Sequence, residues 1–139
     1  MHFEVRRNIA RRPQDIWPLL VNRDVLVNGG FGILRIDGDI APGGRLKLWS
    51  EASPKRAFAL RVREFAPPSR MVWDGGMPLG LFRGVRVYGL TETSAGSLFH
   101  MREDYSGLLL GLIGKSIPDL TPYFEKFADA LKRRAEGAA

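Results

Sequence analysis

The residues able to do chemistry gather in one short segment, SLFHMREDYSG at 97–107, which holds His100, Arg102, Glu103, Asp104 and Tyr105. The segment reads as a β-strand, and a strand sends alternate side chains to opposite faces. One face takes Leu98, His100, Arg102 and Asp104; the other takes Phe99, Met101, Glu103 and Tyr105. The second set is an apolar row with a carboxylate in it. A carboxylate turned toward a protein interior needs a partner, a proton or a chemical task. Glu103 is therefore the candidate acid/base of the chain. The competing role is structural: a carboxylate paired with an arginine, or one that caps loop amides. His100 has the opposite parity and belongs to the solvated face, unless a bulge reverses the alternation.

Other chemistries find little support. Cysteine is absent and the only histidines are His2 and His100, so thiolate sites are excluded and no metal site or cofactor is implied. GGFG at 29–32 and GGMPLG at 75–80 lack the lysine and the strand-to-helix placement of a phosphate-binding loop. The net charge of +6 comes mostly from arginines spread along the chain, without a continuous basic helix or an aromatic RNA-binding motif. Solvated charge, not a nucleic-acid partner, is the expectation. The start MHFEVRRN has no apolar leader region, and the longest apolar stretch, GLLLGLIG at 107–114, is too short to span a bilayer. A cytoplasmic single domain, 1–139, without membrane insertion, is expected. A solvent-exposed Trp49 and the strand edges leave a homodimer open.

These groups must be positioned by the elements around them. FEVRRNI at 3–9 alternates as a first strand. Pro13 then opens a short helix whose apolar side is Ile16, Trp17, Leu19 and Leu20, limited by Pro18, and a second helical piece around Asp24 to Leu26 ends at Asn28-Gly29-Gly30. From Ile33 to Gly107 short alternating runs are separated by turns at Gly38, Pro42-Gly43-Gly44, Ser53-Pro54-Lys55, Ala66-Pro67-Pro68-Ser69, Gly75 to Gly80 and Ser94-Ala95-Gly96. Sequential antiparallel hairpins follow. The last segment is a long helix entered between Ser116 and Thr121, with Leu120, Phe124, Phe127 and Leu131 in one stripe and an expected Asp129–Arg133 pair on its wet side.

Along the strands one parity is apolar: Leu46 and Leu48, then Phe58, Leu60 and Val62, then Met71 and Trp73, then Val85 and Val87. Arg45, Lys47, Arg61, Arg63 and Arg86 take the other parity, which predicts one oily and one basic face. A single helix stripe cannot cover an oily face of six or seven strands. The remainder is packed by large side chains, covered by loops, or open as a cavity.

In this order, the elements resemble the helix-grip fold of the SRPBCC superfamily, the START and Bet v 1-like proteins, over essentially the whole chain. The matching motifs are Pro13 to Trp17, Pro42 to Leu46, Pro68 to Trp73, Phe82 to Arg86, Glu103 to Leu109, and Ala130 to Lys132 with Glu136. The resemblance implies an α+β fold in which a curved antiparallel sheet of about seven strands wraps a long C-terminal helix, with two short helices after strand one. It also implies a cavity for a small hydrophobic ligand, lipid or polyketide-like, between sheet and helix. The candidate lining is Leu48, Phe58, Leu60, Met71, Trp73, Phe99, Met101, Glu103, Tyr105, Leu120, Phe124 and Phe127. Binding without catalysis is the preferred expectation. A cyclase or dehydratase using Glu103 as acid/base with Tyr105 as hydrogen-bond donor is the alternative, and a chaperone-activator-like interaction protein is the third.

Overall fold

A computed structural model describes residues 1–137. The chain runs β1 (His2–Ile9), α1 (Pro13–Leu20), α2 (Arg23–Asn28), β2 (Ile33–Asp37), β3 (Arg45–Ser50), β4 (Ser53–Ala66), β5 (Arg70–Met77), β6 (Phe82–Thr93), β7 (Gly96–Ser106), α3 (Leu110–Ile113) and α4 (Thr121–Gly137). The seven strands form one antiparallel sheet in the order β1-β7-β6-β5-β4-β3-β2. Its curled half-barrel holds α4 in its concave side, which is the α+β helix-grip arrangement.

Local chemistry explains where the elements start and bend. Pro13 sits at the first helical positions of α1, where its missing N–H costs nothing. Asn22 caps α2 by accepting a hydrogen bond from the Val25 amide at 3.1 Å. Register shifts at Ile33/Arg35, Leu48/Ser50 and Val62/Glu64 place extra residues in β2 and, twice, in β4, and curl that half of the sheet. The β6–β7 hairpin turns at Ser94-Ala95, with Thr93 opposite Gly96. Gly96 has φ +142°, and a Cβ there would lie 2.3 Å from the Ile9 carbonyl oxygen, so only glycine lets the hairpin close against the end of β1.

The helix stripe is buried as expected, with Leu120, Phe124, Phe127 and Leu131 all in the core. Phe127 meets Phe31 edge-on at 5.0 Å, Tyr88 at 5.8 Å and Phe99 at 6.1 Å, joining α4 to the sheet and to the loop after α2. Arg7 of β1 ties the helix flank to the sheet edge by bonding Asp129 at 2.9 Å and Glu125. That contact takes Asp129 away from Arg133; the helix's own ion pair is Lys132–Glu136 at 2.9 Å.

Several sequence expectations change. Pro54 and Lys55 lie inside β4, in the irregular stretch between the Ser53–Ser50 and Phe58–Leu48 pairings, and Gly75 to Met77 continue β5 because they pair with Phe82 to Gly84 of β6. GLLLGLIG contains the one-turn α3. Trp49 is half-buried, since the Arg35 guanidinium lies 4.9 Å over its ring. Most important, β6 has the reverse of the expected parity. Arg86 and Tyr88 face α4, while Val85 and Val87 join Val72 in an apolar patch on the outer face, flanked by Glu64 and Arg102.

On that outer face Asp74 is buried and accepts from Arg83 at 2.8 Å and from Arg63 at 3.1 Å. The Arg83 hydrogen bonds hold its carboxyl below the usual range against the opposing effect of burial, with Arg63 adding to the attraction. The unfolded chain therefore takes up this proton more readily. The stabilisation is complete above about pH 5 and is lost as pH falls through the unfolded and then the lowered folded value. Both arginines are about half exposed, so Asp74→Asn is expected to cost about 1 kcal/mol at neutral pH. In denaturant melts it should also flatten the loss of stability from about pH 5 to about pH 2. An unchanged acid slope in the variant would remove Asp74 as its source.

Candidate functional site

The inward residues of β6 and β7 meet at one polar cluster beneath α4. Arg86 lies directly opposite Glu103 in the antiparallel register and donates from Nε to Glu103 Oε1 at 2.9 Å. The Tyr105 hydroxyl donates to the other carboxylate oxygen, so both oxygens of Glu103 are engaged. The Phe124 ring packs 4.8 Å from the Arg86 guanidinium, closing the cluster from the helix side. The Glu103 side chain is only 13 % exposed. The competing structural role described from the sequence is thus filled, by an arginine the sequence pattern assigned to the wrong face.

The neighbourhood fixes the protonation states of its partners. Burial works against the Arg86 charge, but Glu103 outweighs it, helped by Tyr88 and Tyr105, and Arg86 stays cationic. Burial, reinforced by Glu103, raises the Tyr105 phenol far above its ordinary value, which keeps it a hydrogen-bond donor. Burial likewise pushes Tyr88 up to about 12, although Arg86 pulls the other way. The Tyr88 hydroxyl and Trp73 Nε1 are buried without a hydrogen bond of good geometry, and their rings lie 4.8 Å apart. Only Nε of the Arg86 guanidinium is bonded to protein among the described residues. The cluster therefore keeps spare donors.

The candidate lining residues separate into two groups. Met71, Trp73, Phe99, Met101, Phe124 and Phe127 are packed into the core, with Leu48 and Leu120 at its margin. Glu103 and Tyr105 stand at the boundary. Beyond them the concave face is less fully covered: Leu60 is half-buried, and Phe58, beside Leu48, and Met77, beside Phe82, are each 44 % exposed. Tyr105 stacks on Phe82 at 5.6 Å and leans over Gly84, where a Cβ would lie 3.1 Å from its ring. His100 bonds Glu4 at 2.8 Å and Arg102 bonds Asp104 at 2.9 Å, so the other parity of β7 belongs to the outer face as expected.

Arg86 was the residue missed. The signal was the hairpin: counting back from Thr93 opposite Gly96 brings Arg86 opposite Glu103. Among the described residues no cluster of three or more histidine, cysteine or acidic side chains is arranged to hold a metal.

No family model and no curated protein matches the sequence. Solved structures share the fold at low identity. Protein MLL2253 from Mesorhizobium loti is 17 % identical, with a TM-score of 0.77 over 100 % of this chain and 99 % of that one. Protein SA2116 from Staphylococcus aureus, of unknown function, is 12 % identical, with a TM-score of 0.73 over 99 % and 94 %. The di-domain ARO/CYC protein StfQ of the steffimycin biosynthetic pathway is 15 % identical, with a TM-score of 0.73 over 99 % of this chain and 51 % of that one. These likenesses establish a fold shared with an ARO/CYC protein and with uncharacterised proteins, consistent with the helix-grip resemblance.

The ion pair sets a stability test. Arg86→Met strands a carboxylate in an apolar setting and is expected to cost about 3–5 kcal/mol, whereas Arg86→Met combined with Glu103→Leu should return to within about 1 kcal/mol of the parent. Denaturant unfolding of the double-mutant cycle measures this coupling. Simply additive losses would show that the two side chains act independently.

Proposed function

We propose that this chain is an SRPBCC-type binding protein that takes a small hydrophobic ligand, lipid or polyketide-like, at the open end of the grip. The observation that carries the reading is a buried polar cluster standing behind an exposed apolar opening. Phe58, Met77, Leu60 and Phe82 offer apolar contact, and the Arg86 guanidinium nitrogens not bonded to Glu103 suit one polar end. The rim is apolar as well. Leu79, Leu108 and Leu112 are 92 %, 83 % and 75 % exposed, the first before β6 and the others just before and within α3, two segments joined by the Leu108 amide to Gly80 carbonyl bond at 3.2 Å and the Leu109 to Leu81 bond at 2.8 Å. Exposed apolar clusters of this kind mark binding surfaces.

A cyclase or dehydratase reading uses the same groups, and the shared fold with an ARO/CYC protein is what favours it. The geometry argues for binding first. Glu103 already holds Arg86 and Tyr105 with its two oxygens, so proton transfer to a substrate would require one of them to let go.

Native mass spectrometry of freshly purified protein is expected to show a bound apolar molecule, and titration with medium-chain fatty acids or aromatic polyketides to show saturable binding. Phe58→Ser should weaken that binding about tenfold with a stability change under about 1 kcal/mol, because the side chain is already half in water. Absence of any saturating ligand, or equal affinity in Phe58→Ser, would overturn the assignment of the opening. Turnover of a bound polyketide that is lost in Glu103→Gln while binding persists would replace binding by catalysis.

A further inference from the structure

The convex side of the sheet carries a second candidate site, independent of the concave opening. The strand register lays out its side chains as two rows. The first runs Asp37, Lys47, Ala59, Gly76, Arg83 across β2 to β6, and the second runs Arg45, Arg61, Asp74, Val85 across β3 to β6. Ala59 and Gly76 provide almost no side chain, so the first row dips at its middle. The dip belongs to a groove of about 670 Å³ bordered by Asp37, Arg45, Lys47, Arg61 and Asp74.

The charge in this groove is left unneutralised. Arg45, Lys47 and Arg61 form no ion pair among the described residues, although Asp37 and Asp74 are their register neighbours. Asp37 is held by Arg35 at 2.8 Å, and Asp74 by Arg83 and Arg63. Six cations thus surround two carboxylates. Arg45 and Arg61 are also direct cross-strand partners, an arrangement that like charges make unfavourable. A sheet that needed arginine only for solubility would gain by pairing these positions with Asp37 and Asp74. Here the acids are committed elsewhere.

We propose that this groove binds a small molecule carrying a di- or triphosphate. Guanidinium groups match phosphate oxygens in pairs, and Arg45 with Arg61 presents two forks side by side. Lys47, unpaired among the described residues, and Arg83, which binds Asp74 through Nε and Nη2, close the ends of the dip three strand spacings apart, about 14 Å. A single phosphate cannot touch both ends, whereas a linear polyphosphate lying over Ala59 and Gly76 reaches the cations at each. A nucleic acid fits less well, because the groove lining contains no aromatic ring for base stacking and Arg35 covers the nearby Trp49.

The test is calorimetric titration at about 0.1 M salt with tripolyphosphate, inorganic phosphate, a short single-stranded oligonucleotide and a poly-glutamate peptide. Tripolyphosphate is expected to bind once per chain, at least about tenfold tighter than inorganic phosphate, with loss of at least about tenfold in Arg45→Gln/Arg61→Gln. Ala59→Leu, which fills the dip and keeps every cation, should weaken it comparably, and Arg134→Gln on α4 should leave it unchanged. Arg61→Gln should raise the melting temperature of the free protein and abolish the upward shift that tripolyphosphate gives the parent. No saturable binding, an equal loss in Arg134→Gln, no effect of Ala59→Leu, tighter binding of the oligonucleotide or peptide, or a lower melting temperature for free Arg61→Gln would each overturn the proposal.

Discussion

The Arg86–Glu103 ion pair is the contact on which the concave side of the molecule is organised. It links the two strands with the longest shared register, β6 and β7, and Phe124 brings α4 down onto the guanidinium. Desolvating two charges costs several kcal/mol each, and their attraction returns this only when geometry and further hydrogen bonds are good. The Tyr105 hydroxyl supplies one such bond. An apolar trio of the same volume would hold strands and helix at least as firmly. The charges are therefore better understood as specifying one register and one helix position, and as leaving polar capacity at the edge of the core.

That edge divides the concave face by side-chain size and helix length. Below it the space between sheet and α4 is filled by Met71, Trp73, Tyr88, Phe99, Met101 and Phe127, nearly all without solvent contact. Above it α4 has not yet begun, since its first residue is Thr121. A helix advances 1.5 Å per residue and a strand more than twice that. The fourteen-residue β4 therefore extends beyond the helix stripe, and Phe58 is left with an inward direction but little to pack on. The opening is a consequence of these lengths.

The sequence made legible whatever depended on one residue type in one regular element. The α4 stripe, the parity of β7 and the inward Glu103 could all be read because apolar and polar residues alternate cleanly there. β6 defeated the same reasoning. Its valines at 85 and 87 look like core and its arginine at 86 looks like surface, but parity follows from pairing, and the tight Ser94-Ala95 turn fixes that pairing. Phe58 and Leu60 show the complementary limit. Their facing was readable, but their burial depends on where a helix sixty residues later begins.

The two faces of β5 show how one strand can serve two unlike environments. Trp73 is buried against Tyr88 on the concave side, and the next residue, Asp74, is tied by Arg63 and Arg83 on the convex side. On the concave side Arg86 meets Glu103, because a lone charge beneath α4 would lack both water and a partner. On the convex side water screens the surplus, so Arg45, Lys47 and Arg61 can stand unpaired at modest cost. The net charge of +6 is consequently weighted toward the side of the sheet away from the helix, where its field reaches solvent. A hydrophobic ligand entering the grip and an anion meeting the outer face would therefore contact opposite sides of the same β5 backbone, one recognised by apolar area and the other by charge.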